Sequence, residues 1–343
     1  MMRTILLTAI LCFCLPSLTR SQESQTGDNA KYTCADTISI GKQQIYVAQW
    51  RDDCDAAISY TFDDGLQEHY TLLRAKLREH RFPATFAIVG NRVGGDFKGN
   101  PTMTWEQLRE MVADGHEISN HGWSHLNLTT ITPEQRQFEI EHNDSVIHDS
   151  LGLWPRTFIY PGNRRSPEVI KACEKGRVGS RTFQQSLGSK RNDANLRKMV
   201  EDLIASRGWA VTMTHGITRG YDHFTDSAIL WRHFNHVDSL RHRIWVGTLS
   251  DVLTYSKLRK ALRLDAERQT DGTIVVKPSL DDTVVTGITD SSLYKGCLTM
   301  VVTGENRIQA TQDGRPLETI VRENGQQLLF NPHGGQITIK AAF

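Results

Sequence analysis

From Ala56 to Leu262 the chain alternates short β-prone runs with amphipathic helical stretches, and few folds accommodate that pattern. The β-prone runs are "AISYTF", "PATFAIVG", "HEISNH", "RTFIYPG", "RVGSRTF", "WAVTMTH" and "IWVGTL". Between them lie helical patterns. Leu72, Leu73 and Leu77 share a face in Leu66–His80, and "TWEQLREMVADG" runs from a Thr104 cap to a Gly115 stop. Pro133–Leu151 starts with proline in its first turn, and Asn192–Arg207, Thr225–Arg241 and Leu249–Leu262 follow. Strict alternation predicts a parallel sheet with helices packed outside it. No Gly-rich phosphate fingerprint follows a strand, so a closed or nearly closed β/α barrel fits better than a dinucleotide-binding sheet.

The pattern stops at both ends. "MMRTILLTAILCFCLPSLTRSQ" has a basic start, a short apolar run and small residues near Ser21, which predicts a secretory signal over residues 1–21 and an exported protein. The run is too short for a comfortable membrane-spanning helix, and no integral membrane segment is expected in the mature chain. Residues 22–54 read as an N-terminal arm, with strands in "TISIGKQQIYVAQW" leading into the main domain at 55–262. Past Arg263 come short alternating runs such as "GTIVVKP", "CLTMVVTG" and "GQITIKAAF", separated by Gly, Asn, Asp and Pro. They predict a small antiparallel β domain over 263–343. Loss of residues 1–21 removes Arg3 and Arg20 and no acid, which turns a formal charge of +1 into one net negative charge. Such a chain has no bulk electrostatic case for nucleic acid. Cys34, Cys54, Cys173 and Cys297 are too few and scattered for a disulfide scaffold. Export permits a Cys34–Cys54 bridge, and four unpaired thiols are an equal alternative. Oligomeric state is open.

In a parallel β/α barrel the reactive groups stand at the C-terminal ends of strands. The first strand ends in Asp63-Asp64, the third in "SNHGWSH" with His121 and His125, the fourth in "YPGN", and the sixth in Thr214-His215-Gly216. Each part alone has a plainer explanation. Asp-Asp-Gly makes turns and caps helices. With 13 histidines in the chain, some fall at strand ends by chance. Two His four residues apart plus one carboxylate from another strand form a three-ligand set with open positions, which suits a catalytic divalent ion, Zn²⁺ before others. The second Asp is then free to take a proton from water, and a nearby cation keeps both carboxylates ionised.

"TFDDG", "HGWSH" and "MTHG", in this order and spacing, resemble the NodB-homology polysaccharide deacetylases, carbohydrate esterase family 4. The resemblance covers roughly residues 55–260. It implies a distorted (β/α) barrel and metal-dependent hydrolysis of acetyl groups from an acetylated carbohydrate. It implies Asp63 as general base, Asp64, His121 and His125 as ligands, and His215 as general acid. Gly162 is expected to supply an oxyanion-binding N–H, with Pro161 and Trp123 near the sugar. One departure stands out. The family places an arginine two residues before the proline to orient the base, and "FIYPGN" puts Ile159 there. Arg164 and Arg165 are the candidates to replace it, and "VGSRTF" sits where a fourth motif belongs without matching it. Two alternatives accompany the deacetylase expectation: an esterase for O-acetyl groups of xylan type, and a carbohydrate-binding protein whose site has decayed.

Overall fold

The computed structural model describes residues 31–281, 283–284, 291–304, 307–323 and 325–342. The expected signal segment and cleavage site lie outside the described residues. No described helix is long and apolar enough to cross a membrane.

The alternating region forms a curled parallel sheet of eight strands. Its order is Gly179–Ser180, Thr157–Phe158, Glu117–Asn120, Thr85–Ile88, Ala56–Phe62, Trp209–Thr214 and Gln185–Ser186. The eighth strand, Ile244–Val246, pairs with Ala56–Ile58, while Thr85 and Phe86 pair with Thr61 and Phe62 of the same strand. This is the distorted barrel expected from the alternation. Ala56–Phe62 is buried along its whole length, as a central parallel strand requires. Its side chains Ile58, Tyr60 and Phe62 enter a core with Leu73, Leu77, Phe86, Leu108, Leu196 and Phe234. The helices begin where their caps predict: Thr104, Thr132, Asn192 and Thr248 each close a capping box.

The barrel floor is fastened by one carboxylate. Thr85, Glu117 and Thr157 are the first residues of three neighbouring strands. Glu117 accepts hydrogen bonds from Thr85 Oγ1 (2.8 Å), Thr157 Oγ1 (2.7 Å) and Ser250 N (2.9 Å), the last at the start of the Leu249–Ala261 helix. An acid at a helix N-terminus is favoured by the helix dipole.

The remainder is antiparallel and is built from both chain ends. One sheet orders Lys31–Thr33, Leu262–Arg268, Ile274–Leu280, Ile337–Ala341, Ile308–Gln312 and Arg315–Leu317. The other orders Thr319–Arg322, Gly325–Phe330, Leu298–Val302, Gln43–Val47 and Ile38–Ile40. Ile38, Ile45 and Val47 share a core with Leu298, Met300, Phe330 and Ile339, and with Tyr255, Leu258 and Ala261 of the last barrel helix. Strands assigned to an N-terminal arm thus pair with strands past residue 263. Cys34, Cys54, Cys173 and Cys297, the cysteines among the described residues, are all free, Cys54 and Cys173 being buried.

Candidate active site

The strand ends predicted to carry chemistry converge on one cleft of about 490 Å³. Its lining includes Asp63, Asp64, His121, His125, Gly162, Arg181, His215 and Tyr221. Pro161 is buried beneath this surface, and neither it nor Trp123 lines the cleft. Trp123 instead packs over Gly90, where an added Cβ would meet its ring at 2.7 Å. Its backbone N–H donates to Glu139 O (2.9 Å), and the Glu139 carboxylate accepts from Ser124 N (2.8 Å), so the Pro133–Leu151 helix braces the loop between the two histidines.

Asp64 Oδ1 lies 3.5 Å from both His121 Nε2 and His125 Nε2. His121 Nδ1 is 2.6 Å from Ile159 O, which fixes the proton on Nδ1 and leaves the Nε2 lone pair facing Asp64. Two of the three residues hold left-handed backbone, Asp64 at φ 71° and His125 at φ 61°. Such conformations persist outside glycine only where surrounding structure enforces them. Burial, then the neighbouring His121, pushes the His125 imidazole down to about 4, so it is neutral and able to ligate at ordinary pH. Asp64 Oδ1 is buried without a hydrogen-bond partner among the described residues. A buried carboxylate oxygen between two imidazole lone pairs is unfavourable unless a cation is shared there. The donor set of one oxygen and two nitrogens therefore fits a divalent metal.

Asp63 faces the other way. Arg181 Nη1 donates to Asp63 Oδ1 (2.7 Å) and to Thr61 Oγ1 (2.6 Å), and Nη2 donates to Asp63 Oδ2 (2.6 Å). Both side chains are buried. Burial alone would raise the Asp63 carboxyl; the Arg181 guanidinium overcomes this and holds it well below the usual carboxylate range. The base-orienting arginine expected from the resemblance is thus supplied neither by Arg164 nor by Arg165. Arg164 is exposed, and Arg165 bonds Asn163 and Thr182 O. Ile159 packs against Ala87, Val211 and Leu249, where a guanidinium would be buried without an anion. Arg181 comes from the adjacent strand end, in "VGSRTF", and its own N–H is tied to Phe158 O (3.0 Å). In the sequence it is only a strand end carrying a cation, and the spacing of the chain does not encode its pairing with Asp63 on another strand.

His215 Nε2 lies 3.9 Å from Asp63 Oδ2 and from Asp64 Oδ2. Two residues after the first strand end hold its loop. His69 Nε2 donates to His215 O (2.8 Å), which leaves Nδ1 unprotonated, and burial pushes this imidazole down to about 4. The Glu68 carboxylate accepts from Ile217 N (2.8 Å), Thr218 N (3.0 Å) and the Thr218 hydroxyl. One short segment, Asp63 to His69, therefore presents both carboxylates and positions the histidine opposite them. Neither Glu68 nor His69 stood out in the sequence, since their partners are backbone groups. His233 is buried with its Nε2 2.9 Å from Tyr60 Oη.

Residues 51–178 match the family model described as "Polysaccharide deacetylase". Among curated relatives, the peptidoglycan-N-acetylmuramic acid deacetylase PdaA of Bacillus subtilis is 26% identical over 181 residues, covering 51% of this chain and 65% of the relative. The chitooligosaccharide deacetylase of Rhizobium leguminosarum is 36% identical over 94 residues, covering 27% and 40%. These matches span less than two thirds of the relatives' own lengths. The solved peptidoglycan deacetylase PdaC of Bacillus subtilis aligns with a TM-score of 0.43 at 19% identity, over 60% of this chain and 94% of that one.

Proposed function

The chain carries a polysaccharide deacetylase domain of the NodB-homology type, and on that premise we propose that it hydrolyses acetyl groups from an acetylated glycan outside the cytoplasm. The observation that carries the proposal is the pairing of two adjacent carboxylates with two different partners: Asp64 with two imidazoles, Asp63 with a guanidinium. Asp64, His121 and His125 would hold the divalent ion, taken as Zn²⁺ from the mixed nitrogen and oxygen donors. When bound, such an ion supplies Lewis acidity that polarises an acetyl carbonyl and acidifies a water. Asp63 accepts the proton of the attacking water, with Arg181 fixing the direction of its carboxylate. The Gly162 N–H donates to the oxyanion of the tetrahedral intermediate. His215 Nε2 delivers a proton to the departing nitrogen or oxygen, and acetate leaves. Arg181 also weakens the decayed-site alternative, because the group that the departure at Ile159 removes is supplied from another strand.

The test is acetate release from a panel of N- and O-acetylated oligosaccharides, with metal stripped and then restored. Release that requires metal supports the proposal and identifies the leaving atom. Glycan binding without acetate release, in metal-replete protein, would sink it.

A further inference from the structure

The connections that follow the barrel strands are unequal, and two long ones flank the strand that delivers both carboxylates. Ala56–Phe62, which leads into Asp63 and Asp64, lies between Thr85–Ile88 and Trp209–Thr214 in the sheet. After Thr85–Ile88 the chain runs through residues 89–104 before the next helix, and this stretch carries a small hairpin of Asp96–Phe97 and Asn100–Pro101. After Trp209–Thr214 it runs through residues 215–227. Only residues 159–166 and 181–184 follow Thr157–Phe158 and Gly179–Ser180.

Both long connections hang from the segment after Phe62. Met103 N donates to Gly65 O (2.9 Å), and Leu66 forms an isolated antiparallel bridge with Thr102, which ties down the base of the hairpin. Glu68 holds Ile217 and Thr218 at the start of the other connection. Asp222 accepts from Ser189 N (3.0 Å) and Ser189 Oγ (2.7 Å) and fixes its far side. The two connections meet. A Cβ added at Gly220 would touch Asn100 Oδ1 at 3.4 Å, so the gap between them is filled by a methyl group and admits no sugar ring. The barrier joins the reacting groups at both ends: Phe97 packs edge-on against His125 at 5.0 Å, and Tyr221 against His215 at 4.9 Å. Tyr221 lines the cleft yet is 70% exposed, which sets it on the rim. An obstruction of this kind discriminates by clash rather than by lost contact.

We propose that the cleft is blind on the side of Asn100, Gly220 and Tyr221, and that the acetyl group it takes is carried by the terminal sugar of a glycan. The rest of the strand leaves over the short connections, where Gly162, Asn163 and Gln184 line the cleft. This rests on the deacetylase reading and adds which sugar of the strand is attacked.

Acetate release by the metal-loaded full chain is measured on hexasaccharides of N-acetylglucosamine and of 2-O-acetylxylose. Each is prepared uncapped, with a benzyl ether on the non-reducing O4, as the methylumbelliferyl glycoside, and with both caps. The uncapped strand should lose a single acetyl group, located on a terminal sugar by mass-spectrometric sequencing. The cap at that end, alone or with the other, should lower kcat/KM by about 10- to 200-fold. In the N100A/Y221A double variant the ratio of internal to terminal deacetylation should rise about 10-fold. Release from internal sugars of the doubly capped strand at the uncapped rate would overturn the inference and leave the deacetylase reading intact. An unchanged pattern in the folded double variant would remove the block from this barrier and overturn it as well. Calorimetric binding of the same ligands to metal-free protein reads the barrier without chemistry. Binding lost with one particular cap, and no acetate released from any ligand, would uphold the blind end and defeat the deacetylase reading. Binding indifferent to both caps overturns the inference whatever the turnover.

Discussion

The barrel and the antiparallel half bury polar groups of different kinds. In the barrel, Asp63, Asp64, Glu68, His69, His121, Glu139, Arg177, Arg181 and His233 are all buried. Among the described residues from 262 onward the buried polar ones are Thr273, Thr299, Gln312, Gln326 and Gln327, none of them charged. Burying charge is costly unless each group is paired, so a fold accumulates it where it serves chemistry or fixes a unique arrangement. Within the barrel the carboxyl groups separate again: Glu117 fastens the floor, and Asp63 and Asp64 stand with Arg181 at the opposite strand ends. The antiparallel half gains its stability from aliphatic packing and neutral hydrogen bonds.

Substitutions should therefore divide by region. The largest effect is expected for His121→Ala, which leaves two protein ligands and should abolish tight metal binding. Unchanged metal content after dialysis would remove His121 from the ligand set. Asp63→Asn should keep the metal and lower turnover by about 10²–10⁴-fold. Near-normal acetate release would assign the proton to another group.

Phe330→Ala tests the other side of the comparison. Phe330 is fully buried between the antiparallel sheets, and its loss should cost about 3–5 kcal/mol of stability. Metal stoichiometry below the melting transition should be unaffected. A loss of metal in folded protein would show that the two regions are coupled.

Arg181→Met should lower kcat by about 10- to 100-fold, the usual scale for a group that orients a catalytic partner. Without the guanidinium, burial governs Asp63 and its carboxyl rises, so the acid limb of the pH–rate profile should move to higher pH. A reduced rate with an unmoved acid limb would make Arg181 purely structural.

The smallest effect concerns pH and stability in the metal-free protein. His69 is held at about 4 in the fold by burial, below its ordinary value of 6.5. Between those values the unfolded chain binds a proton that the native state refuses. Stability should fall as pH drops through this window, by up to about 3 kcal/mol for this residue. Calorimetry of His69→Gln should show a shallower decline between pH 6.5 and 4.5, and an equal slope would mean that His69 is not the neutral buried group.

The same division governs what was legible in the sequence. Barrel strands were readable because each is a short apolar run between helices with explicit caps, and Asp63, Asp64, His121, His125 and His215 were readable as ligand or acid–base types at strand ends. Arg181 was not, because its role depends on a pairing across two strands that spacing does not encode. Glu68 and His69 were hidden for a related reason: they act on backbone N–H and C=O groups, which leave no residue-specific trace. The pairing of Ile38–Ile40 and Gln43–Val47 with the far end of the chain was equally invisible, since short alternating runs show that a strand exists and not which strand it joins. Local sequence specifies an element; partner choice is settled by cores such as the one shared by Ile45, Met300 and Phe330.

That closure from both ends has a consequence in time. The hydrogen bond from Gln44 N to Thr303 Oγ1 joins positions 259 residues apart. At ordinary synthesis rates the first strands precede their partners by roughly 15–50 s, whether the chain then folds at once or after transport. Throughout that interval Ile38, Ile45 and Val47 carry unpaired strand edges and uncovered side chains, the exposure that promotes edge-to-edge association. The barrel can nucleate from neighbouring segments, whereas the antiparallel sheet cannot be completed until Ile337–Ala341 has emerged. Damage to the final strand, Ile337–Ala341, should therefore appear first as a loss of soluble yield and only later, in the protein that survives, as a change at the cleft.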